Sequence, residues 1–221
     1  MLCSFACPSL VGSALFGYSL EVTALKIVNL YPGGFACNCY LVLQGEHAVL
    51  VDCSAPAKTV KAALSAHGAR LQAILCTHGH FDHVLTADDV RNELKVPLYI
   101  HEDDAEMLTD GEKNAFATFF GFGKTWRPAD RLLREGDTLS FGELHLSVLH
   151  TPGHSKGSSV LLCEDVAFTG DTLFANGYGR TDLYGGDHNA LRHSLERLYT
   201  LPDDLTIYPG HGDAATLKSS Y

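Results

Sequence analysis

The first half of the chain alternates short apolar runs with polar, glycine-containing turns. Runs of this kind are typical of strands when turn residues bound them. They predict strands over residues 25–29, 39–43, 48–51 and 98–100, another strand in the apolar run from Leu71, a helix over residues 57–67 and a short acidic helix over residues 102–108. Apolar residues at helical spacing after His83 predict a further helix, which ends near Lys95.

Strands also dominate the second half, where they are predicted over residues 131–133, 138–141, 144–150, 158–163, 166–169 and 206–208, with a helix over residues 188–199. Strands that alternate with helices indicate a layered α/β fold. A length of 221 residues suits one domain. We expect residues 23–221 to form that domain. Residues 1–22 are predicted to be a poorly ordered extension or the result of a start codon placed too early, with a degenerate signal peptide as the alternative.

Aromatic residues cluster where the pattern is least regular, between residues 109 and 128. Phe116, Phe119 and Phe120 have helical spacing, and Phe122 and Trp126 follow among glycines. Two interpretations remain open. The segment is either a short helix packed on the core, or an aromatic wall or lid over a pocket.

Composition disfavours several classes of function. Acidic residues outnumber basic ones by 26 to 16, which gives a formal net charge of −10 and argues against non-specific nucleic-acid binding. No apolar run is long enough to span a membrane, and residues 1–20 lack the basic residues of a secretory signal. We therefore expect a soluble protein with a small-molecule substrate and neither a nucleic-acid nor a membrane partner. The oligomeric state is not predicted.

The seven cysteines are odd in number and contain no CxxC pair of the kind found in structural zinc sites. Cys76 and Cys163 lie in apolar runs and are predicted to be buried. Cys37 and Cys39 are predicted to share one face of a strand, which argues against a bond between them. A reduced, cytoplasmic compartment fits this usage best.

The strongest chemical signal is Thr77-His-Gly-His-Phe-Asp-His83, which places three histidines and an aspartate within six residues. Imidazole and carboxylate are ligands that suit zinc and related divalent ions. The segment follows a predicted strand and precedes a predicted helix, so it is predicted to be a loop. Ligands and catalytic groups usually lie on such loops.

Three later loops carry further candidate ligands, His154, Asp171 and His211, each after a predicted strand. A glycine directly before or near each one permits a close backbone approach or an unusual turn. Taken alone, each could equally be an ordinary turn residue. Together with the first loop they form a set large enough for two metal ions that share one carboxylate: His78, His80, Asp82, His83, His154, Asp171 and His211.

The histidine loop, Pro152-Gly-His154, Gly170-Asp171 and Gly210-His211 match, in order, the motifs of the metallo-β-lactamase fold superfamily, which the chain resembles over residues 25–212. The resemblance implies an αββα sandwich with two divalent metal ions at one edge, zinc in the first place and iron or manganese as alternatives. It also implies a ligand set for each ion: His78, His80 and His154 for the first, Asp82, His83 and His211 for the second, and Asp171 as the bridge.

Within that superfamily the chain looks most like the glyoxalase II group, the hydroxyacylglutathione hydrolases, over the stretch from Gly170 to Asp182. This resemblance implies that a hydroxide between two metals attacks a thioester, with Asp82 and Asp171 as the catalytic carboxylates. Class B β-lactamases usually place a cysteine ligand near position 171 and lack a counterpart of His83, which disfavours β-lactam hydrolysis.

Two differences from the glyoxalase II pattern affect the substrate that we expect. The longer glyoxalase II enzymes hold glutathione with a C-terminal helical domain, whereas this sequence stops at Tyr221, so we expect a modest preference for glutathione. The stretch Gly179-Arg-Thr-Asp182 also resembles persulfide dioxygenases, whose single iron is held by two histidines and an aspartate. An iron-dependent persulfide dioxygenase is therefore the alternative function.

Other side chains near the motifs have weaker assignments. Lys156 and Arg180 are predicted to bind a substrate carboxylate, with Tyr178 as a further substrate contact, although both cations could simply be solvated surface residues. Tyr184 is a similar, weaker candidate. Asp52 ends a predicted strand, and it either fixes the tautomer of a metal-bound imidazole or belongs to the first turn of a helix.

Overall fold

Residues 23–220 are described by a computed structural model, which contains two six-stranded sheets and one of two strands. The strands are β1 (Lys26–Asn29), β2 (Tyr40–Gln44), β3 (His47–Val51), β4 (Arg70–Leu75), β5 (Leu98–His101), β6 (Arg131–Leu133), β7 (Thr138–Phe141), β8 (Leu144–His150), β9 (Ser159–Cys163), β10 (Val166–Gly170), β11 (Leu173–Phe174), β12 (Gly177–Tyr178), β13 (Thr206–Pro209) and β14 (Ala215–Thr216). The helices are α1 (Ala57–His67), α2 (Ala87–Leu94), α3 (Phe116–Phe120) and α4 (His188–Leu198). The prediction for residues 1–22 lies outside the described residues.

Strand direction brings the important loops to one edge. The first sheet has the order β1-β2-β3-β4-β5-β6, and the second has the order β14-β13-β10-β9-β8-β7. In the second sheet β9 is antiparallel to both β8 and β10, and β10 is parallel to β13. The strands β8, β10 and β13 therefore run in one direction, and the loops that follow them leave from the same edge.

Three apolar layers hold the two sheets and their helices together. Side chains alternate across a strand, so Leu41 packs with the cluster that contains Val60 of α1, while Val42 packs between the sheets with Phe168. On the outer face of the second sheet, α4 buries Leu191 in a third cluster. The predicted αββα sandwich is confirmed.

The differences from the predicted elements are local. The acidic helix is a 3-10 helix, Glu102–Thr109, and the helix after His83 begins only at Ala87, behind a 3-10 turn, Phe81–His83. The strand predicted over residues 39–43 begins at Tyr40, so its assignment to Cys37 and Cys39 was wrong. Both are nevertheless buried, and the five cysteines of the described range are free. Within residues 23–220, no helix is long and apolar enough to cross a membrane.

Phe168 should contribute strongly to stability. Its ring is 1% exposed and contacts Tyr40 and Tyr208 at centroid distances of 5.5 Å each. Replacing a buried phenylalanine with alanine leaves a cavity, so Phe168→Ala should lower the free energy of unfolding by about 3–5 kcal/mol in a denaturant titration. The control Phe122→Ala removes a ring that is 63% exposed and should change it by no more than about 0.5 kcal/mol. Equal effects of the two variants would contradict this account of the core.

Candidate metal centre

Four loops at one edge of the sandwich bring together all seven side chains singled out in the sequence. The loop after β4 carries four of them, and the loops after β8, β10 and β13 carry one each. Their ligand atoms fall into overlapping groups in which all atoms lie within 4.8 Å of one another: His78 with His80 and His154, His78 with His83 and Asp171, and Asp82 with His83 and His211.

The first group consists of three buried imidazoles. His154 Nε2 lies 3.2 Å from His78 Nε2 and 2.9 Å from His80 Nδ1. His78 and His154 therefore present Nε2 to the centre, whereas His80 presents Nδ1. Three nitrogens that converge at this distance suit a single metal ion.

The second group is more open to solvent. His211 Nε2 lies 3.1 Å from Asp82 Oδ2, and His83 Nε2 lies 3.7 Å from the same oxygen. The His211 side chain is 41% exposed, while that of His83 is fully buried. This group offers two imidazole nitrogens and one carboxylate oxygen on the side of the site that water can reach.

Asp171 lies between the two groups. Its Oδ1 is 3.3 Å from His83 Nε2, and its Oδ2 is 3.6 Å from both His154 Nε2 and His211 Nε2. The carboxylate thus lies near ligands of both groups. This is the position that a carboxylate shared by two metal ions would need.

Hydrogen bonds on the outer side of three rings leave the inner nitrogens as acceptors. His154 Nδ1 donates to the carbonyl of Arg180 at 2.8 Å, and His83 Nδ1 donates to Asp52 Oδ2 at 2.8 Å. The Thr77 hydroxyl donates to Asp52 at 2.9 Å and can accept from His78 Nδ1 at 3.2 Å. In each ring the other nitrogen, Nε2, therefore faces the centre and can bind a metal ion once it carries no proton.

Buried polar atoms and their charges also fit a cation. Among residues 23–220, His83 Nε2 and Asp171 Oδ1 are buried and form no hydrogen bond, although they lie 3.3 Å apart, which costs free energy unless another group satisfies them. Burial lowers the pKa of His80 to about 3 and that of His78 well below its ordinary value, so both rings stay neutral. Burial alone would raise the pKa of Asp171, but His83, whose own pKa is raised well above its ordinary value, lowers it well below its ordinary value, so the carboxylate stays ionised.

Asp52 supports the centre from an unusual backbone position. Its φ is 56°, in the left-handed region that asparagine and aspartate enter more readily than most residues. From there its carboxylate accepts the Thr77 N–H at 2.8 Å as well as the bond from His83. Its position matches the predicted role of fixing a tautomer, and α1 begins only at Ala57.

A glycine is required at two of the loops. A Cβ at Gly210 would collide with Asp171 Oδ1 and His83 Cε1. Gly170 has a φ of 49°, and a Cβ there would lie 2.5 Å from Thr77 Oγ1. These glycines allow the backbone of the β10 and β13 loops to approach the centre closely.

Asp104 joins two of the ligand loops and was missed in the sequence. Its fully buried carboxylate accepts Gly79 N–H at 3.0 Å, Gly157 N–H at 2.7 Å and Ser155 Oγ–H at 2.6 Å. Gly79 separates His78 from His80, and Ser155 follows His154. One carboxylate thus links the loop after β4 to the loop after β8.

Asp104→Asn should loosen this link. The asparagine amide must place its NH₂ against either the Gly79 or the Gly157 N–H, so one buried donor loses its acceptor. We expect a loss of about 1–3 kcal/mol in unfolding free energy and about tenfold in zinc affinity, measured by denaturation and by competition with a chelator. The control Asp103→Asn changes a neighbouring, exposed carboxylate and should leave both unchanged. Equal losses in the two variants would contradict the proposed link.

A cavity of about 500 Å³ opens in front of the centre. Arg180 lines it, but Lys156 and Tyr178 do not. The Lys156 ammonium donates to Tyr184 at 3.1 Å on a different surface, and Tyr178 is 53% exposed on β12. Of the three predicted substrate contacts, the structure therefore brings only Arg180 to the cavity.

Each of the two interpretations of the aromatic segment applies to some of its residues. Phe116 and Trp126 are buried in the core, at 8% and 5% exposure. Phe119, on the same short helix α3 as Phe116, lines the cavity instead. One face of this segment therefore packs on the core, and the other forms part of a pocket wall.

Similarity to known proteins agrees with this geometry. Residues 32–211 match the family model of the Metallo-beta-lactamase superfamily. The chain is 35% identical over 191 residues to the "Probable metallo-hydrolase YqgX" of Bacillus subtilis (strain 168), an alignment that covers 85% of this chain and 90% of that protein.

Two solved structures resemble the chain in both fold and sequence. BLEG-1 B3 metallo-beta-lactamase superimposes with a TM-score of 0.81 at 35% identity, over 89% of this chain and 95% of that one. TTHA1623 in a di-iron-bound form superimposes with a TM-score of 0.75 at 36% identity, over 88% of this chain and 96% of that one.

Proposed function

Because the chain belongs to the metallo-β-lactamase superfamily, we propose that it is a metal-dependent hydrolase of thioesters, similar to the glyoxalase II group, that uses two divalent ions. The observation that carries the proposal is the arrangement of the seven ligand atoms in overlapping groups around Asp171. Zinc suits these nitrogen and oxygen donors, and iron or manganese are alternatives. The YqgX protein, by its name a probable metallo-hydrolase, supports hydrolysis.

The residues of the centre would divide the work as follows. His78, His80 and His154 would hold the first ion, Asp82, His83 and His211 would hold the second, and Asp171 would contribute to both. When bound, such ions lower the pKa of water toward neutrality and polarise a carbonyl group. Asp82, whose side chain is 15% exposed and lines the cavity, would orient the attacking water by accepting a hydrogen bond on its free oxygen.

The cavity favours a thioester because its lining, within residues 23–220, provides no general acid to protonate the leaving group. Apart from the proposed ligands, Arg180 is the only ionisable side chain among the described residues that line the cavity, and it cannot act as a general acid near neutral pH. A thiolate is stable near neutral pH because the pKa of a thiol is about 8.5, so it can leave without being protonated. An alkoxide or an amide anion would need a proton donor.

The test is a substrate panel on protein reloaded with zinc, manganese or iron. We expect acyl thioesters to be hydrolysed at least about a hundredfold faster, in kcat/KM, than the matched oxygen esters, and protein stripped with a chelator to be inactive. Release of free thiol provides the readout. Failure of every metal form to hydrolyse any thioester would contradict the proposal.

A second candidate, β-lactam hydrolysis, is favoured by one specific observation, the similarity to BLEG-1 B3 metallo-beta-lactamase. A chromogenic cephalosporin belongs in the same panel. A higher kcat/KM for the cephalosporin than for any thioester would replace the first candidate with the second.

The alternative function, an iron-dependent persulfide dioxygenase, would use three residues that also belong to the proposed hydrolase centre. His154 Nε2 lies 3.2 Å from His78 Nε2 and 3.6 Å from Asp171 Oδ2, and these three residues would suffice to hold one iron. Oxygen uptake with glutathione persulfide, measured on iron-loaded protein, tests it directly. Thioester hydrolysis predicts negligible uptake.

A further inference from the structure

We propose that the cavity binds thioesters whose distal substituent is apolar and uncharged, such as a medium-length alkyl chain or an aryl group. This inference rests on the proposed function and names its class of substrate. It follows from the aromatic residues that line the cavity, from the ring contacts that hold them, and from the ion pair that Arg180 forms with Asp182.

Aromatic rings form part of the cavity lining. This aromatic wall consists of Phe35, Phe81, Phe119 and Phe174. Phe35 and Phe119 are 73% and 47% exposed. Aromatic surface in water is unfavourable, and an exposed apolar patch beside a cleft is typical of a binding site. An apolar ligand group would remove this surface from water.

Ring contacts hold three of the four rings in place. Phe81 contacts Phe119 and Phe120 at centroid distances of 5.5 Å each, and Phe35 contacts Phe120 edge-on at 6.1 Å. Below them, Phe120 packs on the buried Phe116 at 4.5 Å. Because the wall is anchored to the core, little conformational entropy would be lost when a ligand binds to it.

The charges around the cavity disfavour an anionic substituent. Arg180 is the one lysine or arginine among the described residues that line the cavity, and residues 1–22 contain neither type. Its Nε and Nη2 donate to the two carboxylate oxygens of Asp182 at 2.6 and 2.7 Å. A carboxylate such as those of glutathione would have to compete with Asp182 for this guanidinium.

The proposed ligands and the aromatic wall line the same cavity, and the ring centroid of Phe174 lies 6.3 Å from that of His211. A thioester carbonyl placed at Asp82 and Asp171 would therefore direct one of its substituents along the wall. The volume of about 500 Å³ is within the range of about 300–1,000 Å³ that is usual for small-molecule sites.

Two series of substrates test the inference with zinc-loaded protein. The first varies the acyl group from acetyl to octanoyl on the neutral thiol N-acetylcysteamine, and the second varies an alkyl thiol on a constant acetyl group. We expect kcat/KM to rise about two- to fourfold per methylene in one series until the cavity is filled. The series that shows the rise identifies which side of the thioester lies on the wall.

Variants connect that rise to the aromatic wall. Phe35→Ala and Phe119→Ala should each reduce the rise of kcat/KM with chain length, and they should lower kcat/KM for the best substrate by about tenfold. Phe122 is a matched control, because it is also an exposed phenylalanine, at 63%, but does not line the cavity. Phe122→Ala should preserve the rise.

Several results would overturn the inference while leaving thioester hydrolysis intact. They are equal kcat/KM values across both series, a preference of more than about tenfold for lactoylglutathione over the lactoyl thioester of N-acetylcysteamine, and an unchanged rise in Phe35→Ala and Phe119→Ala. Sedimentation that shows the parent to dimerise through the wall, and Phe35→Ala to be monomeric, would also overturn it.

A binding measurement separates the inference from the proposed function. S-Octyl-N-acetylcysteamine, a thioether that cannot be hydrolysed, is titrated into the protein by calorimetry. If no thioester is turned over but the thioether binds and Phe119→Ala weakens it, the apolar site stands and the hydrolase assignment fails. Absence of both binding and turnover overturns both.

Discussion

His211→Ala should bind about one metal ion fewer than the parent protein and lose on the order of a hundredfold or more in kcat for a thioester. His211 belongs only to the second ligand group, where its Nε2 lies 3.1 Å from Asp82 Oδ2. Its removal therefore leaves the three imidazoles of the first group unchanged. His83→Ala should have the same effect. Metal analysis after dialysis and steady-state thiol release measure the two losses.

The exposure of the His211 side chain, 41%, makes its removal a test of chemistry more than of folding. The control His193→Ala changes an exposed histidine on α4 and should retain both metal content and kcat. The assignment as a hydrolase fails if the parent consumes oxygen with persulfide and if both His83→Ala and His211→Ala keep that activity with one iron bound.

Asp52→Asn should lower zinc affinity and kcat by about 10- to 100-fold each. Both oxygens of Asp52 accept hydrogen bonds, from Thr77 N at 2.8 Å and from His83 Nδ1 at 2.8 Å. An amide can keep only one of these acceptors. If its NH₂ faces His83, the ring must move its proton to Nε2 and lose the lone pair that a metal ion needs. Chelator competition and steady-state kinetics provide the measurements.

Asparagine is the informative replacement because it also enters the left-handed region, which position 52 requires with its φ of 56°. Asp52→Ala would add backbone strain of about 1–2 kcal/mol to the lost bonds. Comparison of the unfolding free energies of the two variants separates strain from chemistry. Unchanged zinc affinity in a folded Asp52→Asn protein would reduce Asp52 to a turn residue with no role in the centre.

Local patterns predicted the framework well. The helix expected over residues 57–67 is α1, Ala57–His67, because apolar residues such as Val60 and Leu64 recur on one face and are buried there. The strands of the two large sheets were predicted, apart from β14, because most are runs of four or more residues rich in buried apolar side chains. Short elements such as β11 and β12, with two residues each, carry no periodic signal and were missed.

The ligand loops were also visible in the sequence, because histidines and aspartates follow apolar strands next to glycines. Contacts between distant segments were not. Asp104 looks like any other residue of an acidic stretch, and its bonds to Gly79 and Gly157 depend on how two loops meet. Likewise, nothing in the sequence near His154 shows that Lys156 turns toward Tyr184 and away from the cavity.

A titration of metal-stripped protein with zinc tests the two-metal centre most directly. Thioester hydrolysis is measured as zinc is added in steps, and bound metal is quantified in the same samples. Our account predicts that activity rises to a maximum at about two equivalents, and that His211→Ala binds about one and remains inactive. Maximum activity at one equivalent, with His211→Ala as active as the parent, would contradict it.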